Sequence, residues 1–249
     1  MKHLLALFIV FILPISAFSQ NGLYIGLEGN IHYGFYHADD PGGLIDINYD
    51  RYNRMQSAGG IRLGGYLSEN LIIETGYIRF RTLRYSWLLS DNNRITSITT
   101  GNTSHDIPLR LIYSHKLNSY LSLQPYAGIR LLISQNYNNE AAPSPIPISN
   151  EDTLTMATSQ HGPNNESFSL EAGLRLAYSG PKKRVEYSAG LFYLQGLSTF
   201  AQTNVRYFKN EAPEAISNSR IWPNASGLNL SFGIVYHIIR QKSLDDYRK

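Results

Sequence analysis

Residues 22–35 read GLYIGLEGNIHYGF. The odd positions are Leu23, Ile25, Leu27, Gly29, Ile31, Tyr33 and Phe35; the even positions are Gly22, Tyr24, Gly26, Glu28, Asn30, His32 and Gly34. Every odd position except Gly29 is large and apolar or aromatic, and no even position is aliphatic. A helix would turn residues 23, 25 and 27 onto different faces. Strict alternation therefore predicts a strand with two unlike faces.

The pattern recurs along the chain. In 120–134 Leu121, Leu123, Pro125, Ala127, Ile129, Leu131 and Ile133 stand against Ser122, Gln124, Tyr126, Gly128, Arg130 and Ser134, with Leu132 the exception. In 167–178, Phe168, Leu170, Leu174, Leu176 and Tyr178 alternate with Ser169, Glu171, Gly173 and Arg175. In 228–238, Leu228, Leu230, Phe232, Ile234, Tyr236 and Ile238 alternate with Asn229, Ser231, Gly233 and His237. Weaker versions over 55–67, 71–85, 105–115 and 185–198 bring the expected total to about eight strands, longer than those of ordinary sheets.

The intervening gaps fall at about 38–54, 68–70, 87–104, 116–119, 136–166, 179–184 and 199–225, alternately long and short. Tight turns at one end and long connections at the other are the mark of an all-β, antiparallel, up-and-down transmembrane barrel. Residues 137–166 carry Pro143, Pro145, Pro147 and Pro163 together with several Asn. The sequence predicts an irregular loop there, the longest of the external ones.

Composition agrees with a membrane barrel and removes other classes. Only 16% of the 249 residues are charged, against 43% hydrophobic, and the mean hydropathy is −0.24. That average is too low for a bundle of apolar helices. There is no Cys, which excludes disulfides, thiolate metal sites and cysteine nucleophiles. A net charge of +3 is too small to point to nucleic acid.

The N-terminus predicts the compartment. Met1–Lys2–His3 precedes the apolar run Leu4 to Leu13, Pro14 breaks it, and Ala17–Phe18–Ser19 supplies a small-residue cleavage site. This is the anatomy of a secretory signal peptide over residues 1–19, too short to span a bilayer. The expected domain organisation is that leader, a barrel over 20–240 and a polar periplasmic tail over 241–249. The barrel is expected in the outer membrane, with both termini in the periplasm and the long loops outside.

Energy decides which face meets lipid. Backbone groups in hydrocarbon must pair within the protein, so only a closed barrel avoids bare edges. A Lys or Arg on the lipid face costs about 2–4 kcal/mol at the midplane, so charges should point inward. The polar register carries Glu28, Arg62, Glu74, Arg110, Arg130, Glu171, Arg175 and Glu186, four acids and four bases. Equal signs interleaved with Gly and Ser predict a packed interior of ion pairs. A soluble lipocalin-like barrel also alternates, but its polar face meets water and is rich in Lys. Here Lys182, Lys183, Lys242 and Lys249 sit in a turn or at the end. Tyr33, Tyr77, Tyr113, Tyr178, Tyr187 and Tyr236 fall on the apolar face near strand ends, as interfacial girdles require.

With these residues in view, the chain resembles the small outer-membrane β-barrel proteins, including the outer-membrane protein A barrel. More loosely it resembles the porin-like and PorT-like barrels of Bacteroidetes-type bacteria. The likeness covers nearly all of residues 21–240. Its most specific piece is the last strand, Ser231 to Ile238, which resembles the assembly signal of such barrels through Gly233, Tyr236 and Ile238. That resemblance implies outer-membrane lipid, lipopolysaccharide and the barrel-assembly machinery as partners, with a possible envelope protein besides.

Candidate chemistry is sparse. Ser104–His105–Asp106 has the residues of a triad, but neighbours on a strand point to opposite faces and cannot bond in series. His37, His105 and His161 lie near the expected outer rim, where some barrels hydrolyse or transfer acyl groups. His32 and His237 are on the interior faces of the first and last strands, where a metal pair is conceivable beside ordinary hydrogen-bonded polar residues. Asp39, Asp40, Asp46 and Asp50 cluster in the first long gap without EF-hand spacing. Asp152–Thr153–Leu154 matches a short O-glycosylation acceptor. No catalytic, cofactor or metal constellation emerges.

An eight-stranded barrel is just wide enough for its side chains to fill it. The expected function is therefore a non-enzymatic integral outer-membrane protein with a structural, adhesion or assembly role. The alternatives are an accessory barrel of a secretion or uptake machine, a rim-acting lipid-modifying enzyme, and a narrow small-solute channel.

Overall fold

The computed structural model describes residues 22–39, 45–46, 55–91, 94–134, 139–147, 153–161, 166–180, 184–197, 202–209 and 217–239. The expected leader over 1–19 and tail over 241–249 lie outside these residues. In chain order the strands are β1 (Leu23–Asp39), β2 (Ile45–Asp46), β3 (Met55–Tyr66), β4 (Leu71–Asp91), β5 (Arg94–Tyr113), β6 (His115–Lys116) and β7 (Leu121–Ser134). They continue as β8 (Asn139–Pro147), β9 (Thr153–His161), β10 (Glu166–Ser179), β11 (Val185–Gly196), β12 (Gln202–Lys209) and β13 (Ser217–Ile239).

Eight of them form the barrel, in the order β1-β3-β4-β5-β7-β10-β11-β13, and β1 pairs with β13 to close the cylinder. Closure runs the whole length of β1, from Leu23 opposite Ile239 to Asp39 opposite Arg220. All neighbouring pairs are antiparallel. The described connections at one end are short: Leu67 to Asn70, and Leu117 to Tyr120 after the two-residue β6. Leu67 and Leu117 donate their N–H groups back to the carbonyls of Leu71 and Leu121 across these turns.

The other end departs from the sequence reading. β4 and β5 run on as one long hairpin, pairing as far as Asp91 with Arg94, so much of the expected 87–104 loop is strand. Residues 139–147 and 153–161, expected to be irregular, pair as the hairpin β8–β9. β9 joins β12, and β12 joins the upper part of β13, extending the sheet beyond the barrel. The prolines do not prevent this because β8 is the edge strand, bonded among the described residues to β9 alone. A missing N–H is tolerated where that side of the strand has no partner, or where the ladder is already interrupted. Pro145 and Pro147 take places in the register opposite Thr155 and Thr153, and Pro143 falls in the shift between Ala141 and Ser144. Pro163 lies outside the described residues.

Burial is inverted relative to a water-soluble domain. On β5, Arg110 is 1% exposed between Leu109 and Leu111, which are 38% and 50% exposed. Glu28, Arg62, Glu74, Arg130, Glu171 and Arg175 are likewise buried, while Leu27, Ile61, Ile129, Leu170 and Leu174 face outward. The interior also holds an apolar cluster that the alternation does not single out. It comprises Tyr24, Ile72, Ile112, Tyr126, Phe192, Leu194 and Val235. Tyr113, Tyr178, Tyr187 and Tyr236 are exposed near the short-turn ends of their strands. There the Tyr120 and Tyr178 rings lie 6.4 Å apart between centroids.

Glycine makes the narrow barrel possible at identifiable places. A Cβ on Gly60 would lie 2.0 Å from the carbonyl oxygen of Tyr77 on the adjacent strand, so only backbone movement could admit it. Gly29, on the outer face, has nothing within 4 Å of the same position. Gly60→Ala is therefore expected to destabilise the folded barrel by about 1–3 kcal/mol through overpacking. Gly29→Ala should leave stability unchanged or slightly raised, because it only restricts the unfolded chain. Urea titration followed by the gel shift between folded and boiled protein measures both.

Candidate functional site

The inward register of six strands brings four guanidinium groups and four carboxylates into one buried network. Arg110 on β5 is its hub. Its Nη1 donates to Glu28 Oε2 on β1 at 2.7 Å and to Glu74 Oε1 on β4 at 2.9 Å. Its Nη2 donates to Glu28 Oε1 at 3.1 Å, and its Nε donates to Glu171 Oε1 on β10 at 2.5 Å. β1 and β10 stand on opposite sides of β5 in the strand order, so this one side chain reaches across the lumen.

Arg175 on β10 grips Glu74 with both terminal nitrogens, at 3.1 and 2.9 Å. Tyr24 donates its hydroxyl to Glu74 Oε2 at 2.7 Å. Arg130 on β7 joins Glu171 at 2.6 Å to Asp106 at 3.2 Å. Arg62 on β3 stands 3.8 Å from Glu74 and 4.0 Å from Glu28, and it donates Nη2 to Ser188 at 2.9 Å. Gly233 makes room for that guanidinium, since a Cβ there would meet Arg62 Nη2 at 2.4 Å. Two aromatic rings pack among the cations. Arg110 and Arg175 lie 5.5 and 5.3 Å from the Tyr126 centroid, and Arg130 lies 5.3 Å from that of Phe192.

A buried charge is costly unless a partner and hydrogen bonds replace its water. Here every carboxylate of the network has a guanidinium partner, and the signs cancel four against four. The balancing acid is Asp106, which the sequence reading places in a triad-like tripeptide. Glu186 stands outside the network: it is buried near the short-turn end and accepts a hydrogen bond from Ser179 at 3.4 Å. Asp106 is accessible to sequence reasoning, because it shares the even register of Arg110. Tyr24 and Tyr126 fall on the polar register in the sequence as well, but the pattern does not reveal that they pack against Glu74 and the guanidinium groups.

The remaining candidates separate in space. Ser104 and Asp106 both point inward, with Ser104 Oγ donating to Asp106 Oδ1 at 3.3 Å. His105 points the other way, stacked on Tyr77 with ring centroids 5.7 Å apart and its Nδ1 bonded to the Tyr77 hydroxyl at 2.5 Å. His32 bonds Asn229 at 3.1 Å, whereas His237 packs on Tyr24 and Tyr66 at the short-turn end. Along β13, Asn229 and His237 are eight residues apart, about 26 Å of strand, so the two histidines cannot share a metal ion. His37 and His161 lie on β1 and β9, Asp39 ends β1 and Asp46 lies on β2. Asp40, Asp50 and Asp152 are outside the described residues. At the strand expected to carry the assembly signal, Gly233 belongs to the inward register while Tyr236 and Ile238 are exposed on the outer face.

As chemistry, the network is a plug. Its guanidinium groups are engaged by carboxylates, a hydroxyl and ring faces, and its carboxylates are saturated by cations. Its serine–carboxylate pair, Ser104 with Asp106, is shut inside the lumen with the carboxylate held by Arg130, and no cluster of metal ligands occurs among the described residues.

No protein-family model matches the chain, and no curated protein matches it in sequence. Solved structures do. The chain is similar to the outer membrane protein OprG from Pseudomonas aeruginosa, at 9% identity and a TM-score of 0.51, covering 90% of this chain and 99% of that one. The N-terminal β-barrel domain of Pseudomonas aeruginosa OprF is similar at 11% identity and a TM-score of 0.42, covering 88% and 98%. A major outer membrane protein from Thermus thermophilus gives 14%, 0.42, 87% and 99% in the same terms. The OprG match carries the likeness, which is one of fold: the chain has the architecture of the small outer-membrane β-barrels.

Removing the hub should expose its cost. Arg110→Met leaves Glu28 and Glu171 each short of a cation, and a loss of about 3–5 kcal/mol is expected. Glu186→Gln, outside the network, should cost under about 1 kcal/mol. Tyr24→Phe deletes one hydrogen bond to a charged group and should cost about 1.5–3 kcal/mol. Urea unfolding of the detergent-folded variants ranks the three.

Proposed function

We propose that the chain is an integral outer-membrane β-barrel protein without catalytic activity, whose structural, adhesive or assembly role is carried by its long-connection end and its partners. The inversion of burial carries this reading: charged side chains fill the lumen while leucine, isoleucine and tyrosine cover the outside. A lumen closed by a neutral ion-pair network cannot serve as a wide diffusion pore. Activity then belongs to the ends of the barrel.

Strand parity supports an orientation with both termini in the periplasm. Leu23 and Ile239 face each other at the short-turn end, so the first and last barrel strands begin and end on that side. In outer-membrane barrels the short turns are periplasmic and the long connections extracellular. We assign the expected partners accordingly. Lipid and lipopolysaccharide contact the outer apolar face. The barrel-assembly machinery reads the last strand through Gly233, Tyr236 and Ile238. An envelope protein is the further candidate.

A second reading, an accessory barrel of a secretion or uptake machine, is favoured by the sheet extension β13-β12-β9-β8. It raises paired backbone above the barrel wall, as a platform for a protein partner would.

Three measurements test the proposal and its alternative. A protease site inserted between Pro147 and Thr153 is expected to be cut in intact cells; cleavage only after lysis overturns the orientation. Planar-bilayer recordings of the folded protein are expected to stay at baseline, and stable large conductance steps overturn the plugged lumen. Capture of one stoichiometric envelope protein from solubilised membranes favours the machine component over a stand-alone barrel.

A further inference from the structure

One outward-facing row marks where the apolar belt stops. Arg79 on β4 lies opposite His105 on β5, His105 opposite Ile133 on β7, and Ile133 opposite Glu166 on β10. Two residues nearer the short-turn end, the same strands present Tyr77, Ile107, Leu131 and Phe168. A single step along the strands changes an apolar row into one carrying a guanidinium, an imidazole and a carboxylate. On β5 the apolar face from Tyr113 to His105 spans eight residues, about 26 Å of strand. Allowing for tilt, that accounts for most of a belt about 25 Å tall. Arg79 and His105 therefore stand at the upper interface, where a charge costs little.

We propose that Arg79 and His105 bind a phosphate of lipid A, the phosphorylated glycolipid anchor of lipopolysaccharide. This rests on the outer-membrane reading above, with the long connections outward. Arg79 is exposed on the barrel wall and has no hydrogen bond or ion pair among the described residues. His105 is held in place by Tyr77. With the Tyr77 hydroxyl donating to Nδ1, the Nε2–H is the donor left for a ligand. A guanidinium fork beside an imidazole N–H on adjacent strands suits a phosphate oxygen pair. Their surroundings favour a bulky lipid over a free ion. Gly59 lies opposite Arg79 and Gly29 lies opposite Gly59, both outward, so for two strands beside the guanidinium the row carries no side chain. A Cβ on Gly29 would touch nothing within 4 Å, and one on Gly59 would meet only a backbone oxygen at 3.8 Å. Charge complementarity thus fixes the headgroup, the two bare glycines leave room for its sugar beside Arg79, and the exposed Leu27, Ile61 and Tyr77 one step below offer apolar contact to its acyl chains. The sequence adds Arg81 and Arg84 farther along β4.

The test uses the full barrel folded in neutral detergent, titrated with bis-phosphorylated lipid A, its dephosphorylated form, phosphatidylglycerol and inorganic phosphate, with occupancy read by native mass spectrometry. The protein should retain one bis-phosphorylated lipid A at least about tenfold more tightly than the dephosphorylated form. Arg79→Glu and His105→Ala should each weaken that retention about tenfold or more. Tyr77→Phe should weaken it less, and Arg184→Ala at the opposite end should leave it unchanged. Equal retention of the dephosphorylated lipid, a preference for phosphatidylglycerol or for free phosphate, or indifference to Arg79→Glu overturns the inference. Each variant is checked for the gel shift on boiling. A variant that keeps the shift and still binds lipid A counts against the site alone. Failure of the parent chain to fold or to insert into vesicles counts against the membrane reading itself.

Discussion

A β-strand brought into hydrocarbon carries a row of N–H and C=O groups that no water can satisfy, and each group left bare costs several kcal/mol. The rest of this structure follows from that constraint. Eight strands suffice to close the cylinder only because β1 and β13 pair from Leu23–Ile239 to Asp39–Arg220. Closure at eight strands sets a narrow lumen, and inward glycines such as Gly60 let the strands approach closely enough to form it. What remains inside is room for side chains and little else. The period of two then divides each strand between lipid outside and that small interior.

The interior solves a second problem created by the first. A wholly apolar lumen would give strands with two apolar faces, prone to aggregate before insertion, whereas unpaired charges would be too costly to bury. Four arginines opposed by Glu28, Glu74, Glu171 and Asp106 make the central network polar at no net charge. Arg110, bonded to three carboxylates from three strands, ties non-adjacent walls together. Tyr126 and Phe192 fill the spaces between guanidinium planes, so the apolar and ionic parts of the core are interleaved.

Much of this is legible in the sequence. Alternation locates all eight barrel strands, and the inward register places seven of the eight expected charges in or beside one network, with Glu186 apart. The misses have physical reasons. Asp106 escapes because Ser104–His105–Asp106 invites a reading as chemistry, when the decisive fact is that positions 104 and 106 share a face with Arg110. Prolines in 137–166 read as a loop because sequence does not say which strand will be an edge, and at an edge a missing N–H is harmless. The extra length of β4, β5 and β13 is hidden because above the membrane neither face needs to be apolar, so the period-two signal vanishes while the pairing continues.

That last point explains where function can reside. Within the bilayer almost every position is committed: outward to lipid contact, inward to packing or charge balance. Once the strands rise past the row of Arg79, His105 and Glu166, the solvent supplies hydrogen bonds again and side-chain identity is released from both demands. The chain devotes substantial length to that region, in the β4–β5 hairpin and the β8–β9–β12 extension, although barrel closure requires none of it. A protein selected only to fill membrane area would have no use for that material. Paired strands carrying freely chosen side chains make a rigid surface suited to recognition, which is the physical ground for placing the proposed role at the long-connection end.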